Sequence, residues 1–387
     1  VDVLIDEYIE DVNYQLVPTV GTCGVMGTAS TMAITTEALG LMVPNSACAP
    51  AVSADRKRIA ESTGKTAVKI AMENLKPSDY LSEKNFLNAL IVLSSIGGST
   101  NGLVHLTAMA GRLGITIDLI KFDEITKNLP MIVDLKPSGT GYMEDLYKAG
   151  GSQRIFYELK DFLYLDAKSV NGTTLGEEIK NSAKWTQNII TNKSNPVFNA
   201  GSIAVLKGTL APNSAIIKQS AATESLLIHE GRAVVFEGLE DLANRIDRDD
   251  LDVTKDDVLV LKSIGPKGGP GMPEAGLIPI PKKLAKQGVK DMVRISDGRM
   301  SGTASGTIIL HVTPESYENG PLAIVQNGDL IKLNVPKRKI DLMISEEEIA
   351  ERLLKRKELS IRRRGYNKIY MEHVTQADRG VDFDFLI

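Results

Sequence analysis

The feature that most narrows the fold of this chain is a change of texture near residue 200. From Thr28 to about Ala200, apolar residues recur at spacings of three and four and each segment is stopped by glycine, the pattern of amphipathic helices. After NPVFNAG at 195–201, short β-rich runs recur with glycine, proline and asparagine between them. The chain therefore reads as α/β in two parts, a helix-rich α/β domain over 1–195 and a β-barrel domain with a terminal helix and tail over 196–387.

In the first part, helices are predicted from about Thr28 to Leu39 with Gly40 as the stop, and from Ala54 to Thr63 with Ser53 as N-cap and Gly64 beyond it. A third, capped by Ser82, carries Phe86, Leu87, Leu90, Ile91 and Leu93 on one face, and a fourth runs from Gly102 to Leu113 before Gly114. MIVDL at 131–135 reads as a buried strand. In the second part the candidate strands are SIAVLKG, AIIKQS, RAVVFEG, DDVLVLKS, DMVRISD, TIILHVT, LAIVQNGD and IKLNV, which predict a closed barrel or a compact sandwich. A last helix is expected from about Ser345 to Leu359. The basic stretch RLLKRKELSIRRRG at 352–365 follows EEE at 346–348, and reads as a solvated helix face with intrahelical pairs.

Composition limits the function classes. With 387 residues, 43% of them hydrophobic, the chain can bury a large core. No run approaches the ~20 apolar residues of a membrane span, and no succession of charged, apolar and small residues opens the chain as a secretory signal would. A formal charge of −4, from 45 basic and 49 acidic residues, supplies no broad positive field and argues against nucleic acid as a partner. Two cysteines, Cys23 and Cys48, make no disulfide framework, which points to a reducing compartment, the cytoplasm. The chain opens at Val1 on an amphipathic segment with no initiator methionine, and reads as the middle of something longer.

Three segments have the residue types that chemistry needs. Cys23, in GTCGVMGTASTM, is flanked by glycines just before a helix, where backbone N–H groups and the helix dipole favour a thiolate; it reads as a metal ligand or as a small buried hydrophobe. Cys48, in NSACAPAV, lacks that setting and reads as structural. IGPKGGPGMPEAGLIPIP at 264–281 presents one carboxylate, Glu274, on a rigid loop, which suits a magnesium ion or a structural turn. ISDGRMSGTASGT at 295–307 alternates Gly298, Gly302 and Gly306 with Ser301, Thr303, Ser305 and Thr307 between two strands, so that N–H groups and hydroxyls can meet a carboxylate or phosphate. It has neither a Walker ending nor a serine-hydrolase elbow. GGSTN at 97–101 is open between helix capping by Ser99 or Thr100 and anion binding. His105, His229, His311 and His373 lack zinc-site spacing; His105 and His311 read as satisfied core residues.

Taken in order, GTCGVMGTASTMAITTEALGL, PAVSADRKRIAESTGK, IGGSTNGLVHLTAMAGRLGI, VDLKPSGTGYMEDLYKAGG, GSIAVLKGTLAP, GPKGGPGMPEAG, RISDGRMSGTASGTIILHVTPE and HVTQADRGVDFDFLI resemble the blocks of the dihydroxy-acid and sugar-acid dehydratase family over nearly the whole chain. The resemblance implies a hydro-lyase that converts a 2,3-dihydroxy acid to a 2-keto-3-deoxy acid. It implies Cys23 as the last of three cysteines on an iron-sulfur cluster, Glu274 as a magnesium ligand, Ser301 as the base and Thr303 as a substrate contact. A two-iron cluster is favoured, and one visible cysteine is compatible with a four-iron one. It further implies a barrel domain similar to the mobile domain of aconitase, and a homodimer or homotetramer.

MGTASTM and GGPGMPE look closer to the sugar-acid branch than to the dihydroxy-acid dehydratase of branched-chain amino-acid biosynthesis, which stays as the alternative. The family's other two cluster cysteines, and the Asp and modified Lys of its magnesium site, lie upstream of the Cys23 block, outside this sequence. These 387 residues alone are therefore expected neither to hold the cluster nor to turn over, and a non-catalytic relative acting as a binding module is the reading from a different class.

Overall fold

The two textures become two packed units. In the computed structural model, which describes residues 6–15, 20–182, 188–356 and 364–387, the first unit is built on helices Thr28–Ala38, Ala54–Glu73, Glu83–Ser95, Asn101–Gly111, Leu119–Thr126 and Gly151–Glu158. Local chemistry sets several ends. Gly40 takes φ +87° after the first helix, and a Cβ there would lie 2.8 Å from the Lys168 carbonyl oxygen. The Ser53 side chain accepts the Arg56 N–H at 3.1 Å. The Ala54 helix does not stop at Gly64: it runs on to Glu73 and ends on Asn74 in the left-handed region. A single exposed helical glycine costs only about 1 kcal/mol, and KTAVKIAMEN continues the helical pattern beyond it. MIVDL is extended but is not a sheet strand; Met131, Val133 and Leu135 make isolated bridges to Phe198, Ile190 and Gly141.

The second unit is an eight-stranded sheet: β1 (Ala204–Leu206), β2 (Ser214–Ile217), β3 (Ile228–Phe236), β4 (Val258–Leu261), β5 (Arg294–Ser296), β6 (Ile308–Thr313), β7 (Leu330–Asn334) and β8 (Lys339–Leu342). Their spatial order is β1-β2-β6-β5-β4-β3-β7-β8. The pairs β3–β4, β4–β5 and β5–β6 are parallel and the rest antiparallel. A bridge between Lys207 and Lys339 brings the two ends together, so of the two forms expected the sheet takes the barrel, nearly closed.

LAIVQNGD is not a strand. Pro321–Ile324 forms a 3₁₀ turn with the proline at its start, and its apolar residues are there because Leu322, Ile324 and Val325 plug the barrel core. The eighth strand is instead Lys339–Leu342, entered through Arg338 at φ +56°. The last helix expected from the sequence is Glu346–Lys355, capped by Ser345, and a further helix, Tyr366–His373, follows it. Arg352 pairs with Glu348 within it and with Asp329 outside it, and Lys355 pairs with Glu351. The rest of the predicted helix and basic stretch, 357–363, lies outside the described residues.

Strand alternation joins the units. Ala204, Leu206, Ala215 and Ile217 point into the barrel, whereas Ile203, Val205 and Ile216 pack outward against Phe86, Leu90 and Leu103 of the helical unit. Arg338 Nε meets both carboxylate oxygens of Asp123 at 3.0 and 2.8 Å across the same boundary. Among the described residues no helix is long and apolar enough to cross a membrane.

Candidate active site at the boundary of the two units

The parallel strands β4 and β5 run side by side, so the segments that leave their carboxyl ends, 262–281 and 297–307, emerge at one rim. Crevices at such strand ends are the usual ligand sites of parallel sheets. This is why Glu274 and Ser301, on separate loops, come together. Gly276 N donates to the Arg299 carbonyl at 2.7 Å, and a Cβ on Gly276 would lie 2.9 Å from that oxygen, so the loops are laced backbone to backbone.

From the helical unit, Asn101 Nδ2 reaches Glu274 Oε1 at 2.6 Å, the Met300 carbonyl at 3.0 Å and Thr28 Oγ1 at 2.9 Å. Thr28 Oγ1 in turn lies 3.4 Å from Glu274 Oε1 and 3.0 Å from Ser99 Oγ. Ser99 Oγ accepts Asn101 N–H at 3.2 Å, so GGSTN does cap its helix in part, while Thr100 makes no side-chain cap. Gly302 sits against this group: a Cβ there would be 2.6 Å from Ser99 Cβ and 3.1 Å from Thr28 N.

Ser301 Oγ and Thr303 Oγ1 are hydrogen-bonded at 2.9 Å, with Thr303 exposed and Ser301 half-buried. Gly27 links this pair to Cys23, because a Cβ on Gly27 would lie 3.1 Å from Thr303 Cγ2 and 3.3 Å from Cys23 Sγ. Cys23 is exposed and Cys48 is buried. Burial, with the Glu37 charge as a second cause, pushes the Cys48 thiol up to about 12, and this makes it inert. All four residues singled out from the sequence, Cys23, Glu274, Ser301 and Thr303, thus face one boundary.

Sequence reasoning did not reach the setting of four residues near this boundary. Asn101 lies inside a recognised segment, but its role depends on a contact 173 positions away. Arg299 Nη1 stands 3.6 Å from Glu274 Oε1, and its Nε donates to the Met272 carbonyl. His311 is not a satisfied core residue: it is buried, and its Nε2 has no partner among the described residues. Between the pairs Leu310↔Ile216 and Thr313↔Ser214 the register shifts, so His311 falls in a bulge at φ +52°. Burial, then Arg299 and His105, hold its ring down to about 3. His105 is also lowered, by burial first and Arg299 second. Lys218 follows Ile217, which pairs with Ile309; it therefore continues the outward face beside Ile308, which packs on Met300. Its buried Nζ has no partner among the described residues, and burial lowers it to about 7.

The comparisons with known proteins agree with this architecture. Residues 2–178 match the family described as dihydroxy-acid/6-phosphogluconate dehydratase N-terminal, and residues 188–381 match its C-terminal counterpart. The chain belongs to this dehydratase family. It is 44% identical to L-arabinonate dehydratase of Rhizobium leguminosarum bv. trifolii (strain WSM2304), over 95% of this chain and 64% of that protein. It is 38% identical to 6-deoxy-6-sulfo-D-gluconate dehydratase of Pseudomonas putida (97% and 66%) and 40% identical to dihydroxy-acid dehydratase of Methanococcoides burtonii (93% and 65%). The chain spans about two thirds of the length of these relatives, 64% to 66%.

Proposed function

We propose that this chain supplies the base-bearing face of a hydro-lyase that dehydrates a 2,3-dihydroxy acid, with a sugar acid as the favoured substrate. The observation that carries the reading is the seating of Gly302 on Ser99 and Thr28, which holds the Ser301–Thr303 hydroxyl pair against the boundary that Cys23 and Glu274 also face. The donor set fits the implied cofactors. Cys23 is an exposed soft ligand suited to cluster iron, and Gly27 leaves open the space a side chain would fill beside it. Glu274 is a hard oxygen donor, and on the amide that touches it Asn101 Oδ1 is buried without a partner among the described residues. Cys23 would be one ligand of an iron-sulfur cluster and Glu274 one ligand of magnesium. When bound, the two centres supply Lewis acidity at the leaving hydroxyl and at the carboxylate.

The chain's own residues account for the proton. Ser301 Oγ, as the alkoxide, takes the C2 proton, the C2–H electron pair becomes the C2–C3 double bond, and the C3 hydroxyl leaves as hydroxide, which takes that proton from Ser301 to become water and restores the alkoxide; the enol then tautomerises to the 2-keto-3-deoxy acid. Thr303 Oγ1, at 2.9 Å, donates to Ser301 Oγ while that oxygen is deprotonated. Arg299 Nη1, two residues before Ser301 in the same loop, lies 3.6 Å from the exposed Glu274 carboxylate. The outward-facing barrel loops that carry the base suit a unit similar to the mobile domain of aconitase. Two of the relatives bear sugar-acid names and a third the dihydroxy-acid name, so the test is a comparison. Anaerobically reconstituted protein carrying this sequence is assayed for 2-keto acid formation from pentonates, hexonates and dihydroxyisovalerate. Turnover of a sugar acid that is lost in Ser301→Ala supports the reading. Turnover of dihydroxyisovalerate alone favours the branched-chain alternative, and no keto acid from any substrate leaves the non-catalytic binding module.

A further inference from the structure

The loop that carries Glu274 is clamped from two sides by residues far along the chain. Glu315, just past β6, is buried with its carboxylate against the loop backbone: Lys267 N–H reaches its two oxygens at 3.0 and 3.1 Å, and Gly268 N–H reaches one at 3.0 Å. Gly265 leaves room for nothing more, since a Cβ there would be 2.6 Å from Glu315 Oε2. On the other side, the Tyr370 hydroxyl donates to the Pro266 carbonyl and accepts Gly271 N–H, each at 2.9 Å.

The C-terminal segment also holds Glu315 itself. Gln376 Nε2 donates to Glu315 Oε1 at 2.7 Å, and Glu315 N–H donates to Gln376 Oε1 at 2.8 Å. The same segment is anchored on the helix that begins with Asn101. Arg112 Nε and Nη2 grip Asp382 at 2.7 and 2.8 Å, and a Cβ on Gly380 would lie 2.5 Å from Ala108 N. The contacts form a circuit: Glu274 to Asn101, along the helix to Arg112, across to Asp382, back along the tail to Gln376 and Tyr370, and through the 265–271 backbone to Glu274.

We propose that Tyr370, Glu315 and Gln376 are positioning residues for Glu274, so that the C-terminal segment, which touches no reacting atom, sets where the putting-forward of that carboxylate ends. The loop GPKGGPGMPE buries Pro266 and Met272, but four of its ten residues are glycines, and each of these hydrogen bonds removes backbone freedom that glycine would otherwise keep. The inference rests on the dehydratase reading for the use to which Glu274 is put, but not for the restraint on its loop.

Tyr370→Phe keeps the ring, and with it the edge contact to Phe383, while removing the hydroxyl. Gln376→Leu removes the link to Glu315, and Tyr366→Phe, at an exposed position on the helix Tyr366–His373 that carries Tyr370, is the control. In metal-free protein, amide hydrogen exchange over 265–272 should quicken about tenfold in the first two variants and not in the control, while exchange in the barrel strands β4 and β5 stays unchanged. In the reconstituted enzyme, the half-saturating magnesium concentration should rise about tenfold while kcat at saturating magnesium changes less than about twofold. Loop exchange equal to that of the unsubstituted protein in both variants overturns the inference, as does faster exchange with unchanged magnesium dependence. If the unsubstituted protein shows no magnesium-dependent turnover at all, the dehydratase reading fails instead, and the exchange result alone decides whether the clamp holds the loop.

Discussion

Asn101 Nδ2 donates to Glu274 Oε1 at 2.6 Å, joining a helix start in one unit to a loop of the other. The same nitrogen lies 3.0 Å from the Met300 carbonyl, next to Ser301, so one amide registers both site loops. Asn101→Ala should lower stability by about 1.5–3 kcal/mol, the range for a lost hydrogen bond to a charged group, and reduce activity more than stability accounts for. Urea unfolding and kcat/KM measured side by side check it; full activity in the variant would show that Glu274 is held without Asn101.

Gly302→Ala places a methyl 2.6 Å from Ser99 Cβ and 3.1 Å from Thr28 N, where neither neighbour is a flexible chain end. The Ser301 loop must then lift from the helical unit. The expected cost is about 1–3 kcal/mol in stability, the range for overpacking, with loss of turnover. Thermal unfolding and a 2-keto acid assay read the two effects.

Lys218→Met should stabilise the protein. With its amine lowered from 10.5 to about 7 by burial, the unfolded chain binds this proton and the folded chain does not between those values, so native stability rises with pH across that window and the full penalty stands below pH 7. Methionine fills a similar volume without a charge, and the gain at pH 7 should be roughly 2–4 kcal/mol. Denaturant midpoints at both ends of the window test the sign: the variant's stability should lose the rise that the lysine imposes.

His311 and Glu315 drive the acid-side stability in opposite directions. The His311 ring is held at about 3, below its usual 6.5, so as pH falls from 6.5 toward 3 the unfolded chain gains a proton that the folded chain refuses, and stability drops. Burial raises Glu315 from 4.5 to about 7, so as pH climbs between those values the folded chain keeps a proton that the unfolded chain has released, and stability drops in that direction too. Between 4.5 and 6.5 the two slopes offset one another. In Glu315→Gln the histidine slope should emerge, with stability rising by about 1.4 kcal/mol more per pH unit than in the unsubstituted protein. Chemical unfolding at the two ends of the window measures it, and parallel curves would remove Glu315 from the account.

Much of this was legible where the signal is local. Gly40, Ser53 and Ser345 mark helix ends because a left-handed residue or a capping oxygen acts within a few positions. Gly64 misleads because glycine weakens a helix without ending it. LAIVQNGD misleads because residues that plug a barrel are as apolar as those that line it. Cys23, Glu274, Ser301 and Thr303 stand out by their glycine-rich settings, and the fold brings these four to one boundary. Asn101 and Arg299 stay hidden because their side chains matter only through contacts made across the two units. The His311 bulge stays hidden because an extra residue exists only relative to the partner strand.

The meeting of β1 and β8 through Lys207 and Lys339 has a consequence for aggregation. A strand at the margin of an open sheet offers unpaired N–H and C=O groups to other chains, and bending the sheet until its margins meet shields them. Loss of Lys339–Leu342 would undo this twice over, since β7 would lose its partner and the seam beside β1 would open together. The short final strand thus protects solubility out of proportion to its length, and chains cut before it should associate through β1 and β7.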